Sequence, residues 1–194
     1  MVRLREFDEH KALEAAMQLF WEKGYEATSL IDLTTAMGVQ KASIYSTFGN
    51  KEALFEAALR RYTHIHASAA RAQLQKNASV KEAFRSYFES MAAANKNKSG
   101  MNRGCFCLNT MVELAPHHLR FEILTREHQL YLAAIFQETI ERGIRSGELG
   151  AATNAQAVAQ SLVIALIGLT VFLKSRPDSS FVSNAIAVML APLH

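Results

Sequence analysis

Four residues that follow a glycine turn carry the side chains that a DNA-reading helix needs. Gly38-Val39 interrupts a short apolar segment, and the next four residues are small or polar. A lysine ammonium can meet guanine or a phosphate, an alanine methyl can touch a thymine methyl, and small side chains let the backbone approach the groove. We therefore expect contacts with base edges from Gln40, Lys41, Ala42 and Ser43.

Tyr45 and Lys51 are suited to contacts with the DNA backbone. The Tyr45 ring can pack while its hydroxyl donates to a phosphate, and Lys51 adds a positive charge near the start of a long helix. For Tyr45, simple packing is the alternative. Thr28 or Ser29 can offer hydroxyl and amide groups to another phosphate at the positive end of a helix. Other basic candidates are Arg3, Arg5, Arg60 and Arg61.

A second segment, residues 103 to 118, combines cysteines with polar side chains at helical spacing. Cys105, Asn109 and Glu113 are four residues apart, which places them along one helical face. This face can line an effector pocket in which Asn109 and Glu113 fix a polar ligand and Phe106 helps to enclose it. The alternative is that the face only packs, because a buried polar group needs a partner in either case.

The two cysteines of this segment, Cys105 and Cys107, suggest a redox or electrophile sensor, because Arg103 nearby can favour a thiolate. Residues two apart on a helix face different directions, so a disulfide between them requires unwinding. Inert, packed cysteines are the favoured alternative, since free cysteine is among the most buried residue types.

The elements that position these residues are predicted to be helices. Only three prolines and nine glycines occur in 194 residues, which favours long helices over many short strands. Polar stretches at 95–100, 147–150 and 175–178 separate the later helices. The predicted helices cover residues 7–23, 30–37, 40–47, 51–76, 80–94, 103–115, 119–146, 155–174 and 179–191. The predicted fold class is all-α.

Local signals predict the ends and the core of the first helices. Asp8 and Ser29 are candidate N-caps, and Asp32 completes an acidic capping box with Ser29. Gly24 and Gly38 stand where left-handed helix ends are expected. Apolar side chains expected in the core are Phe20, Ile31, Ile44 and Phe48.

Several turn, core and phosphate-contact residues coincide at fixed spacing within residues 7–62. They are Thr28-Ser29, Ala36-Met37-Gly38-Val39, Lys41-Ala42-Ser43-Ile44-Tyr45 and Phe48-Gly49-Asn50-Lys51-Glu52-Ala53-Leu54. This pattern resembles the DNA-binding head of the tetracycline-repressor (TetR/AcrR) family. Ser46 and Thr47 depart from the aromatic or histidine residues that are common at these positions in that family.

The resemblance implies a three-helix helix-turn-helix domain over residues 1–62 and an effector-binding and dimerisation domain over residues 63–194. A homodimer then binds palindromic operator DNA, because two-fold symmetry doubles the contacts of one short recognition helix. The helices 119–146 and 155–174 resemble the pair that forms the four-helix dimer interface of this family. A small-molecule effector is expected to shift the long helix after residue 51 and to lower operator affinity, which makes the protein a repressor.

The segment that begins at residue 104 resembles a subgroup of this family with a Gly-Cys start, an Asn four residues beyond the Cys and a Glu four beyond the Asn. These positions are Gly104, Cys105, Asn109 and Glu113. The alternative function is a small-molecule-binding protein or thiol-based sensor in which DNA binding is altered or lost. The presence of Lys41, Tyr45 and Lys51 argues against such a loss.

Composition and motifs narrow the functional classes that remain for this protein. The net charge is +3, and residues 1–61 hold eight basic and nine acidic side chains, so a DNA face must come from local placement. The sequence has no zinc-ligand spacing, nucleophile elbow or phosphate-binding glycine loop, so we expect no metal, no cofactor and no enzymatic activity. The charged N-terminus and the short apolar stretch at 157–173 predict a cytoplasmic protein without a membrane partner.

Overall fold

The computed structural model describes residues 8–96 and 102–193 of the chain. Every regular element in these ranges is helical, which confirms the predicted all-α class. Two 3₁₀ turns, Leu173–Ser175 and Ala191–Leu193, follow the last two helices. The α-helices are α1 (Glu9–Lys23), α2 (Leu30–Met37), α3 (Lys41–Phe48), α4 (Lys51–Gln75), α5 (Val80–Lys96), α6 (Phe106–Glu113), α7 (Leu119–Arg145), α8 (Ala155–Phe172) and α9 (Ser179–Met189).

The predicted caps set the ends of the first two helices. The Asp8 carboxylate accepts a hydrogen bond from the Lys11 amide at the start of α1. At the start of α2, the Ser29 hydroxyl accepts from the Asp32 amide, and the Asp32 carboxylate accepts from the Ser29 amide. These reciprocal bonds satisfy amide groups that no helical partner reaches.

The turn between α2 and α3 begins with a left-handed glycine. Gly38 has φ 66° and ψ 29°, a conformation that a side chain disfavours, and its amide donates to the Thr34 carbonyl. The chain then enters α3 after two further residues. This short turn gives the helix-turn-helix geometry that the sequence predicted.

The chain forms two compact units. The first contains the described residues up to His64 together with Cys105–Thr125, and the second contains Ile65–Gly104 and Arg126 onwards. The two helices α4 and α7 therefore contribute residues to both units. The functional division at residue 62 stays a prediction, because these units describe packing and not function.

The core of the first unit is a cluster of aromatic rings around Phe55 of α4. The Phe55 ring is fully buried and makes edge-on contacts with Phe20, Phe106 and Phe121, at centroid separations of 4.9, 5.2 and 5.2 Å. The Tyr25 ring lies 5.1 Å from Phe55 in the same arrangement. Rings from α1, α4, α6 and α7 are thereby held together, and edge-on geometry adds to the burial of their area.

The second unit has its own core, built from α4, α5, α7, α8 and α9. Phe84 and Phe136 are fully buried and meet edge-on at 5.2 Å. Glu148, in the connection after α7, closes the start of α5: its carboxylate accepts from the Ser79 hydroxyl at 2.7 Å and from the amides of Val80 and Lys81 at 2.7 and 3.0 Å. A carboxylate at a helix N-terminus satisfies free amides and complements the helix dipole.

Three expectations about the core and the helix ends were wrong. Gly24, which follows α1, has φ 83° and ψ 174°, which is not the left-handed helical conformation expected there. Ile31 is 78% exposed on α2 and not part of the core, because Leu33 and Met37 form the buried face of that short helix. The helix predicted over 103–115 begins at Phe106, since Gly104 has a positive φ of 65° and Cys105 is extended. Arg3, Arg5 and most of the polar break at 95–100 lie outside the described residues.

The helix α8 with its following turn, Ala155–Ser175, is long and apolar enough to cross a membrane on length and composition alone, with a mean hydropathy of 2.0. Leu162, Leu166 and Leu169 of this helix are buried in the core of the second unit. The helix therefore packs as a core element on one side, as the core helices of globular proteins do.

Replacement of Glu148 tests the α5 cap. We expect Glu148→Ala to lower the free energy of unfolding by about 1–2 kcal/mol, the usual cost of losing an N-terminal cap. Desolvation raises the pKa of Glu148, but hydrogen bonds from the Lys81 and Val80 amides and from Ser79 outweigh it, so the pKa lies below its ordinary value of 4.5. The stabilisation is thus present above pH 4.5 and is lost as the pH falls through the lower, folded-state pKa.

Urea unfolding at fixed protein concentration measures this effect. The difference between wild type and Glu148→Ala should be largest at pH 7 and shrink in acid, and Glu148→Gln should fall between the two. Glu127→Ala, an exposed change on α7, is the control. An equal difference at all pH values would contradict a role for the ionised carboxylate.

Candidate nucleic-acid interface

The first turn of α3 presents three of the predicted base-contact residues to solvent. Gln40, Lys41 and Ala42 are exposed and Ser43 is half-buried. Ile44, on the opposite side, is fully buried and fixes the helix against the head. An eight-residue helix is marginal alone, so this burial determines which residues it offers to a groove.

Tyr45 and Lys51, the predicted backbone contacts, differ in exposure: Tyr45 is exposed and Lys51 is half-buried. The Tyr45 side chain is 43% exposed, and the Lys41 ammonium lies 5.7 Å from its ring centroid. The Lys51 ammonium lies 4.3 Å from the ring centroid of Tyr25. A cation over an aromatic face keeps its charge while its side chain is oriented.

The residues of the predicted pair Thr28 and Ser29 have different surroundings. Ser29 is exposed at the start of α2, where its hydroxyl donates to Asp32. Thr28 is only 1% exposed, and its hydroxyl donates to the Gly24 carbonyl at 2.6 Å. In this conformation Ser29, and not the Thr28 side chain, faces solvent.

The other basic side chains of the head are engaged in ion pairs. Arg60 lies 2.9 Å from Glu56, and Arg61 lies 2.9 Å from Glu14. These pairs neutralise charge that the sequence offered as part of a DNA face. Local positive charge in the described head is therefore concentrated at Lys41 and Lys51.

The predicted effector-pocket residues are placed around α6 of the first unit. Cys105 is the N-cap residue of α6 and is 8% exposed, and its carbonyl accepts from the Asn109 amide. Phe106 is 1% exposed and packs edge-on against Phe55 and Tyr62. Asn109 is half-buried. The role of these residues in binding an effector stays a prediction.

Glu113 has contacts that sequence reasoning missed. Its Oε1 accepts hydrogen bonds from the backbone amides of Tyr25 and Glu26, at 3.0 and 3.1 Å. These amides belong to the connection between α1 and α2. A sequence separation of 87 and 88 residues leaves no local signal for this contact, so only the folded unit can show it.

The two cysteines are reduced and buried. Cys107 is fully buried, and its burial raises the pKa of its thiol far above the ordinary value. Burial likewise raises the pKa of Tyr62 next to Cys105, with the two cysteines adding to the effect. A thiol becomes reactive as a thiolate, so the surroundings of Cys107 favour the packed, inert interpretation.

The residues described here contain no group of three or more histidine, cysteine, aspartate or glutamate side chains able to hold a metal ion. His66 and His128 form a pair, with Nδ1 and Nε2 3.2 Å apart. Burial lowers the pKa of both, and that of His128 to about 4. Two neutral imidazoles can share one hydrogen bond in this arrangement.

A helix-turn-helix head with a solvent-facing, basic and polar α3 defines the class of DNA-binding regulators. The family model for bacterial regulatory proteins of the tetR family matches residues 12–58, and the model for a tetracyclin repressor-like C-terminal domain matches residues 80–189. The chain belongs to the TetR family. It is a transcriptional regulator and not an enzyme, as the sequence predicted.

Curated relatives agree with this assignment. The chain is 31% identical over 194 residues to the uncharacterized HTH-type transcriptional regulator YezE of Bacillus subtilis, covering 100% of both chains. It is 43% identical over 115 residues to the HTH-type transcriptional repressor ComR of Escherichia coli, covering 59% of this chain and 54% of ComR.

Solved structures also share the fold. A cysteine-substituted form of the TetR family regulator CifR, in complex with 26-base-pair operator DNA, is 31% identical, covers 98% of both chains and has a TM-score of 0.82. The reduced form of NemR from Escherichia coli, at 20% identity and a TM-score of 0.81 over 93% of both chains, shows likeness of fold alone.

Thiol labelling tests the surroundings of Cys107. In a Cys105→Ser variant, we expect alkylation of Cys107 at pH 8 to be at least about a hundredfold slower in the folded protein than in guanidinium, because the thiol is buried and protonated. Mass spectrometry over time measures the modified fraction. The Cys107→Ser variant reports on Cys105 in the same assay, and fast labelling of Cys107 in the folded state would contradict the inert interpretation.

Proposed function

We propose that this protein is a cytoplasmic repressor that binds a palindromic operator as a homodimer and releases it when a small molecule binds in its C-terminal domain. The exposed start of α3 supports the proposal of DNA binding. Ile44 is buried and anchors this helix, while Gln40, Lys41 and Ala42 are exposed. A helix of this kind fits the major groove, and its early residues reach base edges.

The proposed contacts fall into two groups. Base edges are read by the first turn of α3, residues 40 to 43. Phosphates are bound by Tyr45, Lys51 and Ser29, with the amides at the start of α2 adding partial positive charge. Thr28 supports Ser29 from the interior, through its bond to the Gly24 carbonyl. The CifR variant bound to operator DNA supports this proposal for the head.

The proposed dimer interface lies on α8 and α9, where large apolar side chains are exposed. Along α8 the exposed residues recur at intervals of three and four, which puts them on one face. They are Ala157, Ser161, Ile164, Gly168 and Val171. On α9, Phe181 is 59% and Val188 is 74% exposed. We place the interface on this pair, and not on α7 with α8 as the sequence favoured, because the rings of Phe172 and Phe181, 4.9 Å apart, join the exposed apolar side chains of α8 and α9. Exposed apolar patches are characteristic of interfaces.

The proposed effector site is the part of the α6 segment that contains Cys105, Phe106 and Asn109. We also propose that the chain belongs to the subgroup defined by Gly104, Cys105, Asn109 and Glu113, in which Glu113 bonds to the connection between α1 and α2 and not to the effector. Asn109 is the polar group that remains half-buried beside Phe106 and Cys105. A thiol-based sensor is the second candidate, for which Cys105 rather than Cys107 is the residue of interest. Cys105 retains 8% exposure, whereas Cys107 has none.

The first experiment measures binding of the purified protein to the DNA that flanks its own gene, across a salt series and with competitor DNA. We expect competitor-resistant binding by a dimer, and a protected site with two-fold symmetry in footprinting. Weak binding that salt abolishes completely would contradict the operator proposal while leaving the fold unaffected.

Variants of the head test the phosphate contacts. We expect Lys51→Ala to weaken operator binding and to reduce the slope of log affinity against log salt by about one per half-site, as the loss of one phosphate contact does. Tyr45→Phe should cost roughly two- to tenfold by removing one hydrogen bond. Lys11→Ala, which removes an exposed charge from α1, is the control. Wild-type binding by both head variants would contradict the assignments.

A charge on α8 tests the dimer interface. We expect Ile164→Glu to produce monomers in sedimentation velocity and to abolish operator binding at the same concentration, since burial of a carboxylate in an apolar interface is costly. Leu130→Glu on α7, outside the head, is a matched control, because Leu130 is 63% exposed and Ile164 is 70% exposed. Dimers that persist in Ile164→Glu would place the interface elsewhere.

A further inference from the structure

We propose that Glu113 is the positioning residue that links the effector segment to the DNA-binding head, through the connection between α1 and α2. This inference rests on the proposed function and makes it more specific. It assigns Glu113 to the control of DNA binding: the residue holds the head in its operator-binding form and contacts neither DNA nor effector.

The geometry of the contact is specific. One carboxylate oxygen, Oε1 of Glu113, accepts from two successive backbone amides, those of Tyr25 and Glu26. A charged acceptor strengthens each bond beyond that of a neutral pair. Successive amides that converge on one oxygen also fix the path of the backbone, so displacement of Glu113 must disturb this connection.

Gly24 has no side chain and so leaves space for the Glu113 carboxylate. A Cβ placed on Gly24 would lie 3.0 and 3.1 Å from the two carboxylate oxygens of Glu113, which is tighter than most Cβ contacts, so the carboxylate would have to shift. Its φ of 83° also disfavours any side chain. The absence of a side chain at residue 24 therefore serves both the turn and the approach of α6.

Helix stability does not explain a glutamate at this position. Glu113 is the last residue of α6, and the C-terminal end of a helix carries partial negative charge. A carboxylate there is unfavourable for the helix unless another partner compensates it. The amides of Tyr25 and Glu26 supply that compensation from a different element. This indicates that the glutamate serves this contact and not the stability of α6.

The connection held by Glu113 leads directly to the proposed phosphate contacts. The Tyr25 ring lies under the Lys51 ammonium at 4.3 Å. The Gly24 carbonyl accepts from the hydroxyl of Thr28, which precedes Ser29 at the start of α2. A shift of Glu113 thus reaches both Lys51 and Ser29 through Tyr25 and Gly24.

The same helix carries the proposed effector residues. Cys105 and Asn109 lie on α6 or at its start, within two turns of Glu113. A ligand that tilts or unwinds this short helix changes the position of its last residue. The link thereby converts a change at the effector segment into a change at two proposed DNA contacts. Allosteric coupling requires contacts that differ between the two states in this way.

Hydrogen exchange and operator binding together test the link. In Glu113→Ala we expect faster exchange of the Tyr25 and Glu26 amides, with exchange in α8 unchanged. Affinity for the protected fragment from the flanking DNA should fall by about fivefold or more, the lower range of allosteric coupling. Glu113→Gln keeps an acceptor oxygen and should lie between Glu113→Ala and wild type, and it replaces Glu113→Ala if that variant does not fold. Glu127→Ala is the control.

The outcomes separate this inference from the proposed function. Unchanged exchange at Tyr25 and Glu26 would overturn the link, and faster exchange with full operator affinity would overturn its role in DNA binding. If wild-type protein binds no flanking DNA, the proposed function fails. In that case, amide exchange and the affinity for nonspecific duplex at low salt still test whether Glu113 controls the conformation of the head.

A second variant isolates the close approach at Gly24. Gly24→Ala combines backbone strain with displacement of Glu113, whereas Gly147→Ala has a similar φ of 76° and open space around the added Cβ. We expect only Gly24→Ala to accelerate exchange at Glu26. Adding Glu113→Ala to Gly24→Ala should then cause little further change, and fully additive effects would contradict a shared mechanism.

Discussion

Burial of Phe55 is the constraint on which the geometry of the first unit depends. Its ring touches aromatic side chains from α1, α6 and α7, so one residue of α4 sets the mutual positions of four elements. The short helices α2 and α3 have eight residues each and cannot hold their orientation alone. They follow Tyr25, whose ring belongs to this cluster, and they are held by the capped start of α2, the glycine turn and the burial of Ile44. The DNA-reading surface is therefore a consequence of a core that includes α6, and not only of the helix-turn-helix itself.

The distribution of positive charge in the head depends on which basic side chains form ion pairs and not on composition. Residues 1–61 hold eight basic and nine acidic side chains, so the head has almost no net charge. Ion pairs with Glu56 and Glu14 engage Arg60 and Arg61. Lys41 and Lys51 instead lie beside the rings of Tyr45 and Tyr25, which orient a cation without neutralising it. In the proposed complex a dimer brings two such charges per protomer to one duplex, so we expect the affinity to depend strongly on salt and on operator symmetry.

Local signals in the sequence account for most of the fold, while contacts between distant residues account for what it missed. Asp8, the Ser29–Asp32 box and Gly38 act within four residues, and each lies where the pattern predicted. Ile31 was misassigned because an apolar residue in a two-turn helix can belong to either face, and only packing decides between them. The predicted start of the 103–115 helix was wrong because Gly104 has a positive φ and its amide donates to the side chain of Asn102. The partners of Glu113 lie almost 90 residues away and have no periodic signature.

The size of the expected coupling is consistent with so small a link. Allosteric control of about five- to 150-fold needs only about 1–3 kcal/mol. A hydrogen bond to a charged group contributes about 1.5–3 kcal/mol to stability. The free energy of two such bonds between Glu113 and the amides of Tyr25 and Glu26 is therefore sufficient for this coupling, even if an effector weakens the bonds without breaking them. The burial of Cys107 fits the same reasoning, because a closely packed α6 transmits displacement with little deformation of its own. Phe106 and Cys107 are buried near the start of α6, and Glu113 at its end bonds to the connection between α1 and α2, so a displacement of the helix as a unit reaches that connection.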